Sequence, residues 1–211
     1  MAIICPTVDS PDPDPHPYRQ QMERLQPFAS RVHIDLMDGE FAPVTSIKPI
    51  QVWWPEGWIA DIHLMFQRPL AHLETLISLH PNMVIIHAEA EGDLVGMLKH
   101  LQKLDIRAGV ALLKPTEPKD AQKLIAVADH VLLFSGDLGH FGGQADLGIL
   151  KKVTEVKAFN PNVDIGWDGG ANASNVVQLT ESGVDIINVG GAIASAEDPA
   201  AMYATLVSKI S

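Results

Sequence analysis

The feature that most constrains this chain is an eightfold alternation of short apolar runs with helix-spaced segments. The strand candidates are residues 2–5, 31–37, 59–65, 83–87, 107–113, 130–134, 163–166 and 184–189. Residues 18–29, 69–79, 93–104, 118–128, 147–159, 173–182 and 199–210 instead carry apolar side chains at helical spacing, as with Leu94, Met97, Leu98 and Leu101. Segment 41–55 holds three prolines and the pair Trp53-Trp54, so any helix there is short. Near-continuous apolar strands separated by helices call for a parallel sheet covered on both faces. Eight such units predict an α/β fold, a single closed (β/α)8 TIM barrel with residues 1–211 as one domain. A doubly wound open sheet is the alternative for the same pattern.

In such a barrel chemistry gathers at the C-terminal ends of the strands. The second strand shows what is at stake. Val32, Ile34 and Leu36 share one face; His33, Asp35 and Met37 share the other, before the turn at Asp38-Gly39. Burying that polar face without partners costs several kcal/mol. Partners exist further along: His63 and Met65 share a face of the third strand, and Asp168 follows Trp167 at the end of the seventh. Two imidazoles and two carboxylates form a candidate divalent metal site, with zinc, iron, manganese and cobalt all suited to the donors. Gly169-Gly170 and Gly190-Gly191 follow the last two strands, where these barrels hold a phosphate. His87 and His140 read equally well as ligands and as loop or core histidines.

Charge narrows the partners. The chain carries a net −11 with a pI near 5.1, which argues against nucleic-acid binding as a main activity. A single phosphate remains compatible, because backbone amides hold one without a basic patch. Cys5 is the only cysteine, so no internal disulfide and no cysteine-based zinc motif is available. No basic segment followed by an apolar one opens the chain, and no run reaches membrane length, so a soluble, cytoplasmic protein with no membrane partner is expected.

Seven pieces fall in order, at successive strand ends. They are Pro6-Thr7, His33-Ile34-Asp35-Leu36-Met37-Asp38-Gly39, Phe41-Ala42-Pro43, Asp61-Ile62-His63-Leu64-Met65, Phe141-Gly142-Gly143-Gln144, Asp168-Gly169-Gly170 and Gly190-Gly191-Ala192-Ile193. Together they resemble the ribulose-phosphate 3-epimerase family from the first strand to the last helix. The resemblance implies one divalent metal ion per chain, held by His33, Asp35, His63 and Asp168, with the two aspartates also serving as acid and base. It places Gly142, Gly143, Gly169, Gly170, Gly190 and Gly191 around the phosphate, with Thr7 and Gln144 on the substrate, and implies a homo-oligomer, a dimer or hexamer. The implied reaction inverts C3 of a phosphorylated ketose, by default D-ribulose 5-phosphate to D-xylulose 5-phosphate. Its chemistry suits the residues. Two carboxylates on opposite faces remove and return a proton alpha to a carbonyl. A metal stabilises the charge on the two enediolate oxygens, and Met37 and Met65 supply an apolar floor.

The chain departs from the family on the substrate side. Thr7 stands for the usual Ser, Val44 for an Asn, Phe134 for a Met and Gly191 for a Ser, and the loop at 136–144 lacks the usual Pro-Gly and is one residue longer. A 3-epimerase of another sugar phosphate, such as a ketohexose 6-phosphate, and a non-catalytic phosphosugar- or metal-binding descendant are the alternative readings. The related phosphosugar decarboxylases need a lysine between aspartates on the second strand, and 35–38 has none. Trp167 precedes Asp168 where a small β-branched residue is usual, so its ring is expected to point outward if Asp168 points in.

Overall fold

Alternation decides which side chains face the barrel axis and which face the helices. In a computed structural model the chain forms β1 (Ile3–Asp9), β2 (Arg31–Met37), β3 (Ile59–Met65), β4 (Met83–His87), β5 (Arg107–Leu112), β6 (His130–Phe134), β7 (Asp164–Asp168) and β8 (Ile186–Val189). Each strand pairs in parallel with the next, and β8 returns to β1, closing the expected barrel. The structure describes residues 2–9, 12–140 and 142–211; Ser10 and Pro11 of the proline-rich loop and Phe141 of the glycine-loop motif lie outside the described residues.

The two faces separate cleanly. Val32, Ile34 and Leu36 of β2 join the large outer core between strands and helices, as does Trp167, whose indole donates to the Gly169 carbonyl at 2.9 Å. Met83, Ile85, Ala111 and Leu132 pack inside the barrel. Met37, Ala42, Met65 and Phe134 form a third apolar group at the C-terminal rim. Each fully buried aliphatic side chain contributes roughly 1.5–3 kcal/mol. Below, Arg31 meets Asp61 at 2.8 Å and Asn82 donates to the same carboxylate at 2.7 Å, so Asp61 closes the barrel floor rather than joining the rim.

Among the described residues eight α-helices are α1 (Pro15–Leu25), α2 (Leu73–Leu79), α3 (Leu94–Gln102), α4 (Gln122–Ile125), α5 (Lys152–Phe159), α6 (Val176–Glu181), α7 (Gly191–Ala194) and α8 (Pro199–Ile210). Aspartate caps start α1, α3 and α8: Asp14 accepts from the His16 amide, Asp93 from Gly96 and Asp198 from Ala201. No helix is long and apolar enough to cross a membrane, among the described residues.

Several boundaries move. β1 does not stop at Pro6 but runs on to Asp9. Proline lacks an N–H, yet Pro6 sits where the ladder to β8 ends and the ladder to β2 begins at Thr7, so the missing donor is tolerated. The helices expected from 69, 118 and 147 open as 3₁₀ turns, Pro69–His72, Pro118–Ala121 and Leu147–Lys151, whose i+3 spacing resembles helical periodicity. Asn172 and Ser174, candidate caps for a helix from 173, lie in a turn before α6, where the Asn172 side chain accepts from the Ser174 amide at 2.9 Å.

His130 is fully buried at the start of β6, and neither ring nitrogen has a hydrogen-bond partner among the described residues. A Cβ on Gly166 would come within 2.3 Å of its Nε2, so that glycine makes room for the ring. Burial, reinforced by the Arg107 charge, pushes the imidazole well below its usual pKa. The unfolded chain therefore takes up a proton below about pH 6.5 that the folded chain refuses, and stability falls as pH drops through that point. His130→Leu is expected to equal or exceed the parent in stability at pH 7.5. Its advantage should widen by up to about 1.4 kcal/mol per pH unit below 6.5. Urea unfolding at pH 7.5 and 5.5 checks this; an advantage that shrinks on acidification contradicts it.

Candidate active site

Strand register assembles the site. β2 and β3 pair with Asp35 opposite His63 and Met37 opposite Met65, so the inward residues of both strands stack at the C-terminal rim. Asp168 arrives at the end of β7, beside Phe134 of β6. One donor atom from each of His33, Asp35, His63 and Asp168 lies within 4.8 Å of all the others. Asp35 Oδ1 is 2.8 Å from His63 Nδ1 and 3.2 Å from His33 Nε2; Asp168 Oδ2 is 3.8 Å and 3.9 Å from the same nitrogens. All four side chains are buried or nearly so.

The two carboxylates are pushed in opposite directions. Burial opposes the ionisation of Asp35, but the charges and hydrogen bonds of His33 and His63 hold it below the usual carboxylate range. Burial, and then the charge of Asp35, raise Asp168, against the partly compensating imidazoles. Burial opposes protonation of both histidines. Asp35 reverses this for His33, whose pKa is raised, whereas His63 stays lowered.

A chain of contacts leads away from His63. Its Nε2 lies 2.9 Å from His87 Nε2, and His87 Nδ1 lies 3.4 Å from the Glu89 carboxylate. Burial opposes ionisation of Glu89, but His87, the Thr116 hydroxyl and the Leu113 amide hold its pKa low. His63 is thus held between Asp35 at Nδ1 and His87 at Nε2. Four convergent donor atoms, two from imidazoles and two from carboxylates, all within 4.8 Å of one another, are of the types a divalent ion takes, so the donor set fits a metal ion. Lys152 braces the far end, donating to the carbonyls of Leu113, Lys114 and Thr116 at 3.0, 2.8 and 2.7 Å.

Asp35 and Asp168 line a cavity of about 440 Å³ that also has a glycine-lined wall. Gly142, Gly143, Gly169, Gly170, Gly190 and Gly191 all line it, as do Thr7, Met37, Met65 and Phe134. The loop after β6 meets those after β7 and β8 through backbone: a Cβ on Gly169 would reach 2.1 Å from the Gly136 nitrogen, one on Gly170 2.2 Å from that of Ala145, and one on Gly191 3.1 Å from the Gly142 Cα. Gln144, expected on the substrate, is exposed and does not line the cavity; its backbone, not its amide, packs against Gly170. Asp38 turns inward to the loop instead of the cavity, accepting from the amides of Glu40, Phe41 and Gln67. His140 lines the cavity and His87 stands behind His63.

Among the cavity residues that escaped the sequence reading are Asp9 and Asn188. Asp9 ends β1 and Asn188 sits in the run Ile186–Val189 of β8. Their signal was parity: Cys5, Thr7 and Asp9 continue one face past Pro6, and Asn188 is the polar residue on the inward face of an apolar strand.

Comparison with known proteins points one way. The model of the "Ribulose-phosphate 3 epimerase family" matches residues 4–194. The ribulose-phosphate 3-epimerase of Helicobacter pylori is 32% identical over 178 residues, covering 81% of this chain and 82% of that protein. The Mycobacterium bovis protein of the same name is 31% identical over 191 residues, with 84% and 81% covered. Among solved structures, 3-keto-L-gulonate-6-phosphate decarboxylase of Vibrio cholerae superposes with a TM-score of 0.68 at 13% identity, covering 99% of this chain and 97% of that one. The 3-hexulose-6-phosphate synthase of Salmonella typhimurium gives 0.66 at 13%, with 98% and 97% covered. At such identities these two speak for the barrel alone.

Proposed function

This chain belongs to the ribulose-phosphate 3-epimerase family, and from that premise we propose that it inverts C3 of a ketose phosphate, by default interconverting D-ribulose 5-phosphate and D-xylulose 5-phosphate. The observation that carries the proposal is the placement of donor atoms from two aspartates and two histidines within 4.8 Å of one another, the aspartates lining the same cavity as the glycine loops. In this reading Asp35 and Asp168 serve as the acid/base pair, one on each face of the substrate. One takes the C3 proton and the other returns a proton to the opposite face. His33, Asp35, His63 and Asp168 hold one divalent ion, whose identity (zinc, iron, manganese or cobalt) the donor types leave open. That ion, when bound, supplies positive charge to the two oxygens of the enediolate. Backbone amides at the six cavity glycines receive the phosphate, which an acidic protein needs no basic patch to bind. Met37 and Met65 exclude water beside the intermediate.

Turnover in deuterated water tests this. Metal-replete protein is expected to place deuterium at C3 of the product and to contain about one divalent ion per chain by elemental analysis. His33→Ala should weaken metal binding by roughly 10- to 100-fold or more. Neither inversion nor C3 exchange with any pentulose or hexulose phosphate would overturn the epimerase reading. Activity indifferent to chelators in metal-free protein would remove the ion.

A further inference from the structure

Thr7, Asp9 and Asn188 line the cavity from the first and last strands, and buried side-chain polar atoms of all three have no hydrogen-bond partner among the described residues. Asp9 is 7% exposed and Asn188 2%, and both line the cavity. Asp9 Oδ1 and both side-chain polar atoms of Asn188 lack hydrogen-bond partners among the described residues, as does Thr7 Oγ1. Such burial without partners costs stability, so its retention calls for a ligand. The backbone is built to hold the arrangement. Gln21 of α1 clamps Asp9 from both sides, its carbonyl accepting from the Asp9 amide at 3.2 Å and its amide donating to the Asp9 carbonyl.

Position says which part of a ligand is read. Asp9 is the ladder partner of Asp35, one of the four metal-type donors. Asn188 lies two residues before Gly190 of the glycine wall. Asp9 therefore lies toward the metal-type donors and Asn188 toward the glycine wall of the same cavity. The donor and acceptor inventory says what chemistry is read. A carboxylate accepts only, whereas an amide both donates and accepts. A hydroxyl, which also does both, suits either residue; an ammonium would leave the Asn188 amide without an acceptor.

Resting on the epimerase reading, we infer that Asp9 and Asn188 form a specificity wall binding a substrate hydroxyl carried between the epimerised carbon and the phosphate-bearing carbon. Sites built to bond a hydroxyl reject analogues lacking it, because their own buried groups are then left unpaired.

Calorimetric binding to metal-loaded protein tests the wall without depending on turnover. The probes are D-ribulose 5-phosphate, its 4-deoxy analogue and inorganic phosphate. The parent is expected to prefer the hydroxylated sugar at least about tenfold. Asp9→Leu and Asn188→Leu should each lose most of that preference, while inorganic phosphate binds as before and metal content is unchanged. Asp9→Asn, which keeps an acceptor oxygen in the same volume, should retain part of it. Because the buried carboxylate has no partner, Asp9→Leu is also expected to melt no lower than the parent. Variants that keep the full preference, or a parent with none, overturn the wall. A parent that binds and discriminates but does not invert or exchange C3 overturns the epimerase reading and leaves the wall standing. A parent that binds neither sugar overturns both.

Discussion

Asp168→Asn is expected to lower turnover by roughly 10²- to 10⁴-fold, the usual contribution of a positioned acid or base. The amide is isosteric but takes up no proton. The fold should survive, because Asp168 also anchors the β6 loop through its backbone, its carbonyl accepting from the Ser135 amide at 2.7 Å. One oxygen remains near His33 and His63, so part of the metal affinity should persist. Asp35→Asn is expected to be harsher on the metal, since Asp35 makes the closer approaches of 2.8 and 3.2 Å to the same two nitrogens. Measuring metal content beside deuterium exchange separates the effects. An Asp168→Asn protein that keeps its metal should exchange C3 of one epimer without inverting it. Turnover within a few-fold of the parent would rule Asp168 out as acid or base.

The second large effect is expected at Gly170. Its φ is +69°, and an added Cβ would lie 2.2 Å from the Ala145 nitrogen and 2.5 Å from the Gln144 carbonyl carbon. Its own carbonyl is held by the amides of Asn172 and Asn175, each at 3.0 Å. A left-handed residue with a Cβ costs about 1–2 kcal/mol by itself. The overlap with fixed backbone adds a cost that no side-chain rotation relieves. Gly170→Ala should therefore spread the β6 and β7 loops and weaken phosphate binding at least about 100-fold. Gly142 has a similar φ, +84°, but nothing within 4 Å of an added Cβ. Gly142→Ala should carry only the conformational cost, roughly 5- to 30-fold at most. Titration with inorganic phosphate distinguishes them; equal, small losses in the two variants would place the anion elsewhere.

What the sequence made legible follows from what strands and helices impose on side chains. His33, Asp35, His63 and Asp168 could be found because period-two alternation fixes their face and the barrel fixes their height. The close approach of Gly169 and Gly170 to the neighbouring loop could not, because it depends on where the Gly136 and Ala145 backbones happen to lie. Asp9 was hidden by Pro6, read as a strand stop although the ladder changes partner there. Asn188 was hidden in an apolar run whose parity only barrel closure makes meaningful. His87 was legible as a histidine at a strand end, but its place behind His63 needed the β3–β4 register.

The seam between β1 and β8 gives the cavity a separable side. Metal-type donors come from β2, β3 and β7, whereas Asp9 and Asn188 come from the first and last strands. On the inferred wall, drift at these two positions would change what is recognised while leaving the four donors on the other strands in place. Lineages sharing one reaction would then diverge in diet through two positions far apart in the sequence. In such a lineage, innovation needs no new catalytic group, only a new tenant for an existing gap.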